Sequence, residues 1–347
     1  MQKRNINLFL ILFSLIFVFS SCQTTKPPVE KTEQQTEEQY QVELENLSPN
    51  QKVMDAAANE KNIDMSQFPN TALNIPYANT KNLRQTIDII YPSNGTPPYK
   101  TIMVIHGGGW MMGNKQSETI APIFQAVNQG YAIVSLNYRL SNEVTWPKPL
   151  HDAKTAIRFI RANADSFKLD AQTLVIWGVS AGGHIAEMLG ATNNNQAFED
   201  LTMGYDIYSS TVQGIISWYG VSDITGLTKS GIPYANKIMG YDVKKNKTQA
   251  KDSSPINLVT KDFPPILLVH GTKDQVVPYQ QSVDMQKKVN QITRIKTDLI
   301  TFKGAVHADD KIKSVENVMN NLNFVDHILY KSNNPNRNTN YIDIKLK

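Results

Sequence analysis

Cysteine is nearly absent from this chain of 347 residues, which contains a single one, Cys22. An intramolecular disulfide and a metal site built from several cysteines are therefore both excluded. Neither sign of charge dominates, since 35 Lys and Arg residues stand against 31 Asp and Glu residues without a dense basic block. This balance gives no reason to expect a nucleic-acid partner. The length suffices for one large α/β domain or two small ones, and the sequence gives no indication of an oligomeric state.

The apolar run at the start of the chain, residues 8–19, is too short to span a bilayer comfortably. It follows Lys3 and Arg4 and is followed by two serines and Cys22. This order resembles a bacterial lipoprotein signal, with cleavage before Cys22 and lipidation of its thiol. We therefore predict a signal peptide at residues 1–22 and a protein anchored by lipid to a membrane of the bacterial cell envelope, on the periplasmic side or at the cell surface.

Large apolar side chains are scarce in residues 23–50, which are rich in Gln, Glu, Thr and Pro. Such a composition cannot bury enough surface to offset the loss of chain entropy. We predict a disordered tether with a short cap segment over residues 23–70, a folded domain over residues 71–330 and a polar tail over residues 331–347.

The folded region alternates short apolar runs with longer amphipathic ones. Strands that are nearly continuous in Val, Ile and Leu are expected where helices cover both faces of a sheet. The alternation predicts an α/β fold with a mostly parallel sheet, in which ligands bind at the carboxyl ends of the strands. The strand candidates are TIDIIYP, TIMVIH, YAIVSLNY, TLVIWGV, VQGIISWYG, PPILLVH and KTDLITF, and the helix candidates cover residues 117–129, 149–167, 180–191, 278–290 and 309–330.

A serine flanked by glycines stands between a predicted strand and a predicted helix. Residues 178–182 read GVSAG, the G-x-S-x-G pattern, with Ser180 at its centre. A tight turn that presents a serine here needs small neighbours, and the unpaired N–H groups of the following helix point toward the site. A hydroxyl is a weak nucleophile alone, so Ser180 needs a base and an orienting acid.

The predicted base is His307, which lies on a loop between the last strand and the last helix. Two residues are candidates for the acid. Asp274 directly follows a buried strand, whereas Asp223 follows the strand before it. We prefer Asp274 and expect Asp223 to shape the pocket or cap a helix. Structural roles suffice for the remaining histidines, which are His106, His151, His184, His270 and His327.

A glycine-rich segment, HGGGW at residues 106–110, follows another strand. Attack on a carbonyl places negative charge on oxygen, and preorganised N–H donors must stabilise that charge. Successive glycines let the backbone approach such an oxygen closely. We predict that Gly108 and Gly109, together with the amide of Ala181, form an oxyanion hole.

These motifs, in this order, resemble the α/β-hydrolase superfamily. The strongest similarity is to hormone-sensitive-lipase-type esterases, in particular the group of bifunctional acetylxylan and feruloyl esterases, over roughly residues 85–330. The resemblance implies an eight-stranded α/β-hydrolase sheet, with Ser180 as nucleophile, Asp274 as acid, His307 as base and no metal or organic cofactor. Val306 and Ala308 flank the histidine where the family more often has glycine.

The resemblance also implies a substrate, a small ester or an acylated oligosaccharide from plant polysaccharide. Two alternatives stay open: an arylformamidase-like amidase, because HGGGW fits the H-G-G-x-W pattern of those enzymes, and a non-catalytic glycan-binding lipoprotein on a hydrolase scaffold. The predicted pocket residues are the aromatic Trp110, Tyr138 and Tyr219, with Asp223 beside them.

Overall fold

A computed structural model of the protein describes residues 60–329 and 344–346. The predicted signal peptide, Cys22, the tether up to residue 59 and most of the predicted tail lie outside the described residues. Within these two ranges, no helix is both long and apolar enough to cross a membrane.

The central feature is one sheet of eight strands in the order β1-β2-β4-β3-β5-β6-β7-β8. The first two pairings, β1 with β2 and β2 with β4, are antiparallel, and every later pairing is parallel. This confirms the predicted α/β-hydrolase fold. The strands are β1 Thr71–Pro76, β2 Thr86–Ile90, β3 Tyr99–Ile105, β4 Tyr131–Leu136, β5 Leu169–Val179, β6 Gly214–Trp218, β7 Ile266–Gly271 and β8 Asp298–Phe302.

The sheet separates two apolar cores. Side chains alternate along β5, so that Leu174 and Ile176 enter one core while Val175 and Trp177 enter the other. This is the period of two that a strand imposes, and both faces are apolar because both are covered. The alternation therefore explains why the strands read as continuous apolar runs.

Helices cover both faces of the sheet. On one face lie a 3₁₀ helix at Glu118–Gln129 and the last α-helix, and on the other lie the helices around the serine turn. The α-helices are α1 Lys148–Ala162, α2 Ala164–Phe167, α3 Ala181–Ala191, α4 Ile232–Met239, α5 Lys247–Asp252, α6 Gln280–Thr293 and α7 Val315–Phe324.

Several elements differ from the sequence-based expectation. The helix predicted over residues 149–167 is divided into α1 and α2, α4 and α5 were not predicted, and the helix predicted over residues 117–129 is a 3₁₀ helix. Strand β1 was not predicted, since it is a partly exposed edge strand whose register shifts between Ala72 and Ile75. The last helix was predicted from residue 309, but α7 begins at Val315, because Ser314 caps it by accepting a hydrogen bond from the amide of Asn317.

Candidate active site

Ser180 lies on a strained turn between β5 and α3. Its backbone has φ 54° and ψ −114°, outside the regions that residues other than glycine normally occupy. A hydrogen bond to the neighbouring strand β6 holds this conformation, because the amide of Ser180 donates to the carbonyl of Trp218 at 2.9 Å. The turn lifts the hydroxyl above the carboxyl end of the sheet.

The glycines on either side of Ser180 are required by close backbone contact. A Cβ on Gly182 would lie 2.1 Å from the carbonyl oxygen of Ile105, and one on Gly178 would lie 2.2 Å from the carbonyl oxygen of Gly182. Both obstacles are backbone atoms, which no change of rotamer can move. The G-x-S-x-G pattern thus allows α3 to start directly against β3 and β5.

The structure brings Ser180, His307 and Asp274 together. Oγ of Ser180 is 2.9 Å from Nε2 of His307, and Nδ1 of His307 is 2.7 Å from Oδ2 of Asp274. A carboxylate only accepts hydrogen bonds, so Nδ1 carries the proton and Nε2 accepts from the serine hydroxyl. In this arrangement the imidazole can take the serine proton during nucleophilic attack.

The side chain of Asp274 is fully buried and holds its charge through four hydrogen bonds. Oδ1 accepts from the amides of Val276 and Val277 at 2.8 and 2.9 Å, and Oδ2 accepts from His307 and His270. Burial by itself raises the pKa of this carboxyl, but the charge of His307 and the imidazole hydrogen bonds outweigh it and hold the pKa well below its usual value. Asp274 is therefore ionised at neutral pH.

His270 is a contact of the acid that the sequence interpretation missed. Its Nε2 lies 3.2 Å from Oδ2 of Asp274, and its ring is completely buried. The spacing was the available signal, because His270 ends a buried strand four residues before Asp274 in the run HGTKD.

The glycine loop after β3 adopts backbone conformations that favour glycine. Gly108 has φ 97° and Gly109 has φ 58°. A Cβ on Gly109 would lie 2.5 Å from the ring of Tyr234, so the loop packs tightly there. Within the described part of the chain, the amides of Gly108 and Gly109 donate to no acceptor. Both residues line the same cavity as Ser180, where free N–H donors suit a developing oxyanion.

His106 and Tyr138 hold this loop from behind. Nδ1 of His106 donates to the carbonyl of Gly107 at 2.8 Å, and Nε2 accepts from Arg84 at 3.1 Å. Burial first, and then the charge of Arg84, lower the pKa of His106 well below its usual value, so the ring is neutral.

The placement of Tyr138 corrects its prediction as a pocket residue. It stacks on His106 with a centroid separation of 4.4 Å and donates to the carbonyl of His106 at 3.1 Å. Tyr138 is fully buried and does not line the cavity.

Asp223 likewise does not line the cavity. Its carboxylate accepts from the amide of Thr225 at 2.8 Å and caps the 3₁₀ turn Ile224–Gly226, which was the second role expected for it. Trp110 and Tyr219 do line the cavity, and the edge of the Tyr219 ring meets His307 at a centroid separation of 4.7 Å. Ala181 opens α3 beside Ser180 and also lines the cavity.

Two other histidines, His184 and His151, do not take part in this site. Nε2 of His184 donates to the carbonyl of Ser253 at 2.8 Å, and burial lowers the pKa of His184 to about 4. His151 lies in α1, and burial followed by the charge of Lys148 lowers the pKa of His151 to about 4 as well. Neither histidine lines the cavity.

The cavity above Ser180 has a volume of about 730 Å³. Part of its lining is apolar and comes from the segments after β6 and β7, with Val221, Leu227 and Val277. Other lining residues are polar or charged: Glu60, Glu118, Thr119, Gln125, Asp310 and Lys313.

Segments from the two ends of the described chain complete the lining of the cavity. Asn62 forms an isolated bridge with Ser117, and Ile63 forms one with Leu346. The amide of Ile63 also donates to the carbonyl of Gln116 at 2.7 Å. The amide of Asp64 donates to the carbonyl of Lys345 at 2.8 Å. These bonds place Ile344 and Leu346 at the cavity.

Comparison with known proteins places this site in a family. The BD-FAE family model matches residues 87–289, more than half of the chain. Esterase LipC of Mycobacterium tuberculosis is 28% identical over 218 residues, which cover 62% of this chain and 54% of LipC. The chain spans about half the length of the curated relatives it matches.

Two solved structures are similar over most of the domain. A truncated form of a carbohydrate esterase from gut microbiota has a TM-score of 0.71 and 28% identity, covering 78% of this chain and all of the other. A bifunctional GH43-CE protein of Bacteroides eggerthii has a TM-score of 0.68 and 28% identity, covering 73% of this chain and 37% of the other.

Proposed function

The chain belongs to the BD-FAE family, and on that premise we propose that it is a serine carboxylesterase acting on small acyl esters. Its substrates are acetyl or feruloyl esters of plant polysaccharides or of their fragments. The observation that carries the proposal is the hydrogen-bonded series from Ser180 through His307 to the buried, ionised Asp274. The similarity to a carbohydrate esterase supports the sugar-linked substrate.

In the proposed reaction, Oγ of Ser180 attacks the ester carbonyl while Nε2 of His307 takes the hydroxyl proton. The amides of Gly108, Gly109 and Ala181 stabilise the oxyanion that forms. The imidazolium then gives its proton to the departing alcohol, and Asp274 stabilises the charged ring throughout. Water, activated by the same imidazole, releases the acid from the acyl-enzyme and restores Ser180.

The cavity supports a substrate larger than a simple acetate ester. Its volume of about 730 Å³ is within the range of pockets that bury drug-sized ligands. The apolar lining residues suit an acyl or aryl group, whereas Glu60 and Glu118 offer acceptors to the hydroxyls of a sugar.

The proposal is tested with a substrate panel and Ser180→Ala. The native protein should hydrolyse p-nitrophenyl acetate and at least one of acetylated xylan and methyl ferulate, and Ser180→Ala should lose at least about 10³-fold in kcat. A fluorophosphonate probe should label the native protein at Ser180 only. Full activity in Ser180→Ala would reject the mechanism.

A matched pair of variants decides which carboxylate is the acid. Asp274→Asn should lower kcat by up to roughly 10⁴-fold, because the amide no longer fixes the tautomer of His307 or stabilises its charge. Asp223→Asn, which only weakens a turn cap, should stay within about threefold of native. The reverse pattern would assign the acid to Asp223.

Two other candidate functions give different outcomes in the same panel. Turnover of formylkynurenine far above that of every ester would favour the arylformamidase-like function, which the motif at residues 106–110 supports. A folded native protein that the fluorophosphonate does not label, yet that binds oligosaccharide, would favour a non-catalytic lipoprotein.

We also propose that Cys22 carries the lipid that holds the enzyme on the cell envelope. The order of charge, apolar run and Cys22 supports it. In a bacterial host, radiolabelled fatty acid should enter the native protein and the membrane fraction should retain it. Cys22→Ala should lose both, and label that persists in this variant would contradict the anchor.

A further inference from the structure

The carboxylate of Asp274 is bonded by two imidazoles, those of His307 and His270, at the same oxygen. Nδ1 of His307 is 2.7 Å from Oδ2, and Nε2 of His270 is 3.2 Å from it. Nε2 of His270 is also 3.0 Å from the carbonyl oxygen of Val277. On its other side, Nδ1 of His270 is 2.7 Å from Oγ of Ser282.

These hydrogen-bond partners determine which ring nitrogen of His270 carries a hydrogen. The carboxylate and the carbonyl can only accept, so Nε2 carries a hydrogen and donates to both. The hydroxyl of Ser282 is fully buried and has no other acceptor among the described residues, so it donates to Nδ1. His270 is thereby held with its Nε2 hydrogen directed at Asp274.

Without His270, Oδ2 of Asp274 would be bonded by His307 alone. The amides of Val276 and Val277 bond only Oδ1, so they restrain Oδ2 less directly. A second donor that is itself held in place keeps Oδ2, and with it the whole carboxylate, in one orientation relative to His307. His270 can supply this donor because its ring is completely buried and is bonded to Ser282 of α6.

We infer that His270 is a positioning residue for the proposed hydrolysis, oriented by Ser282 and acting through Asp274. It does not line the cavity above Ser180. The inference rests on the proposed function, since it requires that His307 act as a base on Ser180. The order of contacts is Ser282, His270, Asp274, His307 and Ser180.

The test compares His270→Leu, which removes the donor, with His270→Gln, whose amide N–H can replace Nε2–H. With p-nitrophenyl acetate, His270→Leu should lower kcat by roughly 10- to 100-fold with KM within about twofold of native, because the base is misplaced but the pocket is intact. His270→Gln should recover most of that loss. The rate of fluorophosphonate labelling should follow kcat in each variant.

The pH profile separates positioning from mere support of the fold. Removing one donor from Oδ2 concentrates the carboxylate charge on His307, which then releases its proton less readily. The acid limb of kcat/KM should therefore move upward by roughly half a pH unit in His270→Leu. It should remain in place in His270→Gln.

Equal losses in the two variants, or a native profile in His270→Leu, would overturn the inference. If His270→Leu does not fold, Ser282→Ala takes its place, because it keeps the ring and its Nε2 hydrogen but removes the hydroxyl that orients the ring. Here kcat should fall by about threefold or more at unchanged KM, and a native kcat would again overturn the inference. A native protein that neither hydrolyses esters nor is labelled overturns the proposed function itself, and with it any such role for His270.

Discussion

Replacing Glu187 by Gln tests how a carboxyl group buried beneath the serine turn makes stability depend on pH. Glu187 lies in α3 with no exposed surface, and its Oε1 accepts from the hydroxyl of Ser217 at 2.7 Å. Burial raises the pKa of Glu187 from 4.5 to about 7, although the hydroxyls of Ser217 and Ser222 oppose the shift. The folded state therefore keeps this proton at pH values where the unfolded chain has released it.

The sign and size of the effect follow from that difference in pKa. Below pH 4.5 both states hold the proton, and the stability of the fold is greatest with respect to this group. As the pH rises from 4.5 to about 7 the unfolded chain loses its proton first, so the free energy of unfolding decreases, and above 7 the loss is complete. The whole change is about 3 kcal/mol, of which about 2 kcal/mol falls between pH 5.5 and 8.5.

Urea unfolding of the native protein and Glu187→Gln at pH 5.5 and pH 8.5 measures this quantity. Gln cannot ionise, so the stability of the variant relative to native should increase by about 2 kcal/mol from the lower to the higher pH. The exposed Glu316 of α7 provides the control, since Glu316→Gln also removes one negative charge. A relative stability of Glu187→Gln that is the same at both pH values would refute the reasoning.

Two further predictions concern the serine turn and the cavity wall. Gly182→Ala should lower the free energy of unfolding by roughly 3 kcal/mol or more, because its Cβ would meet the backbone of Ile105. The control is Gly130→Ala, where φ is 84° and no atom lies within 4 Å of the added Cβ, and it should lower the free energy of unfolding by only about 1 to 2 kcal/mol. Equal urea midpoints for these variants would contradict the close contact. Leu346→Ala should raise KM for methyl ferulate about threefold to tenfold and leave KM for p-nitrophenyl acetate unchanged, because it removes apolar cavity surface that we expect only the larger substrate to reach. Equal changes for both esters would show that Leu346 does not contact the larger one.

The sheet was predictable from the sequence because its strands are buried on both faces. A strand such as β7, Ile266–Gly271, has no exposed residue, and it therefore reads as an uninterrupted apolar run. Strand β1 lies at the edge, is partly exposed and contains Asn74 at φ 57°, so it shows neither an apolar run nor alternation. Its place in the sheet is set by pairing with β2, which a sequence pattern does not display.

The grouping of Ser180, Asp274 and His307 was predictable for a related reason. Each follows a parallel strand, and parallel strands end at the same edge of the sheet. The contribution of the two chain ends to the cavity was not predictable in this way. Leu346 reaches the cavity through a bridge to Ile63, which lies 283 positions earlier, and no local pattern encodes that pairing.

The position of a residue at this edge does not decide which way its side chain faces, as Trp110 and Tyr138 show. Both follow strands that are neighbours in the sheet, and both are aromatic and almost completely buried. Trp110 lines the cavity, but Tyr138 turns behind the glycine loop because the carbonyl of His106 accepts its hydroxyl hydrogen. The hydroxyl of a tyrosine at a strand end can donate its hydrogen bond either to a substrate or to a nearby unpaired backbone carbonyl. Here that carbonyl belongs to the loop whose amides are proposed to bind the oxyanion, so Tyr138 can affect catalysis only by holding the loop in place.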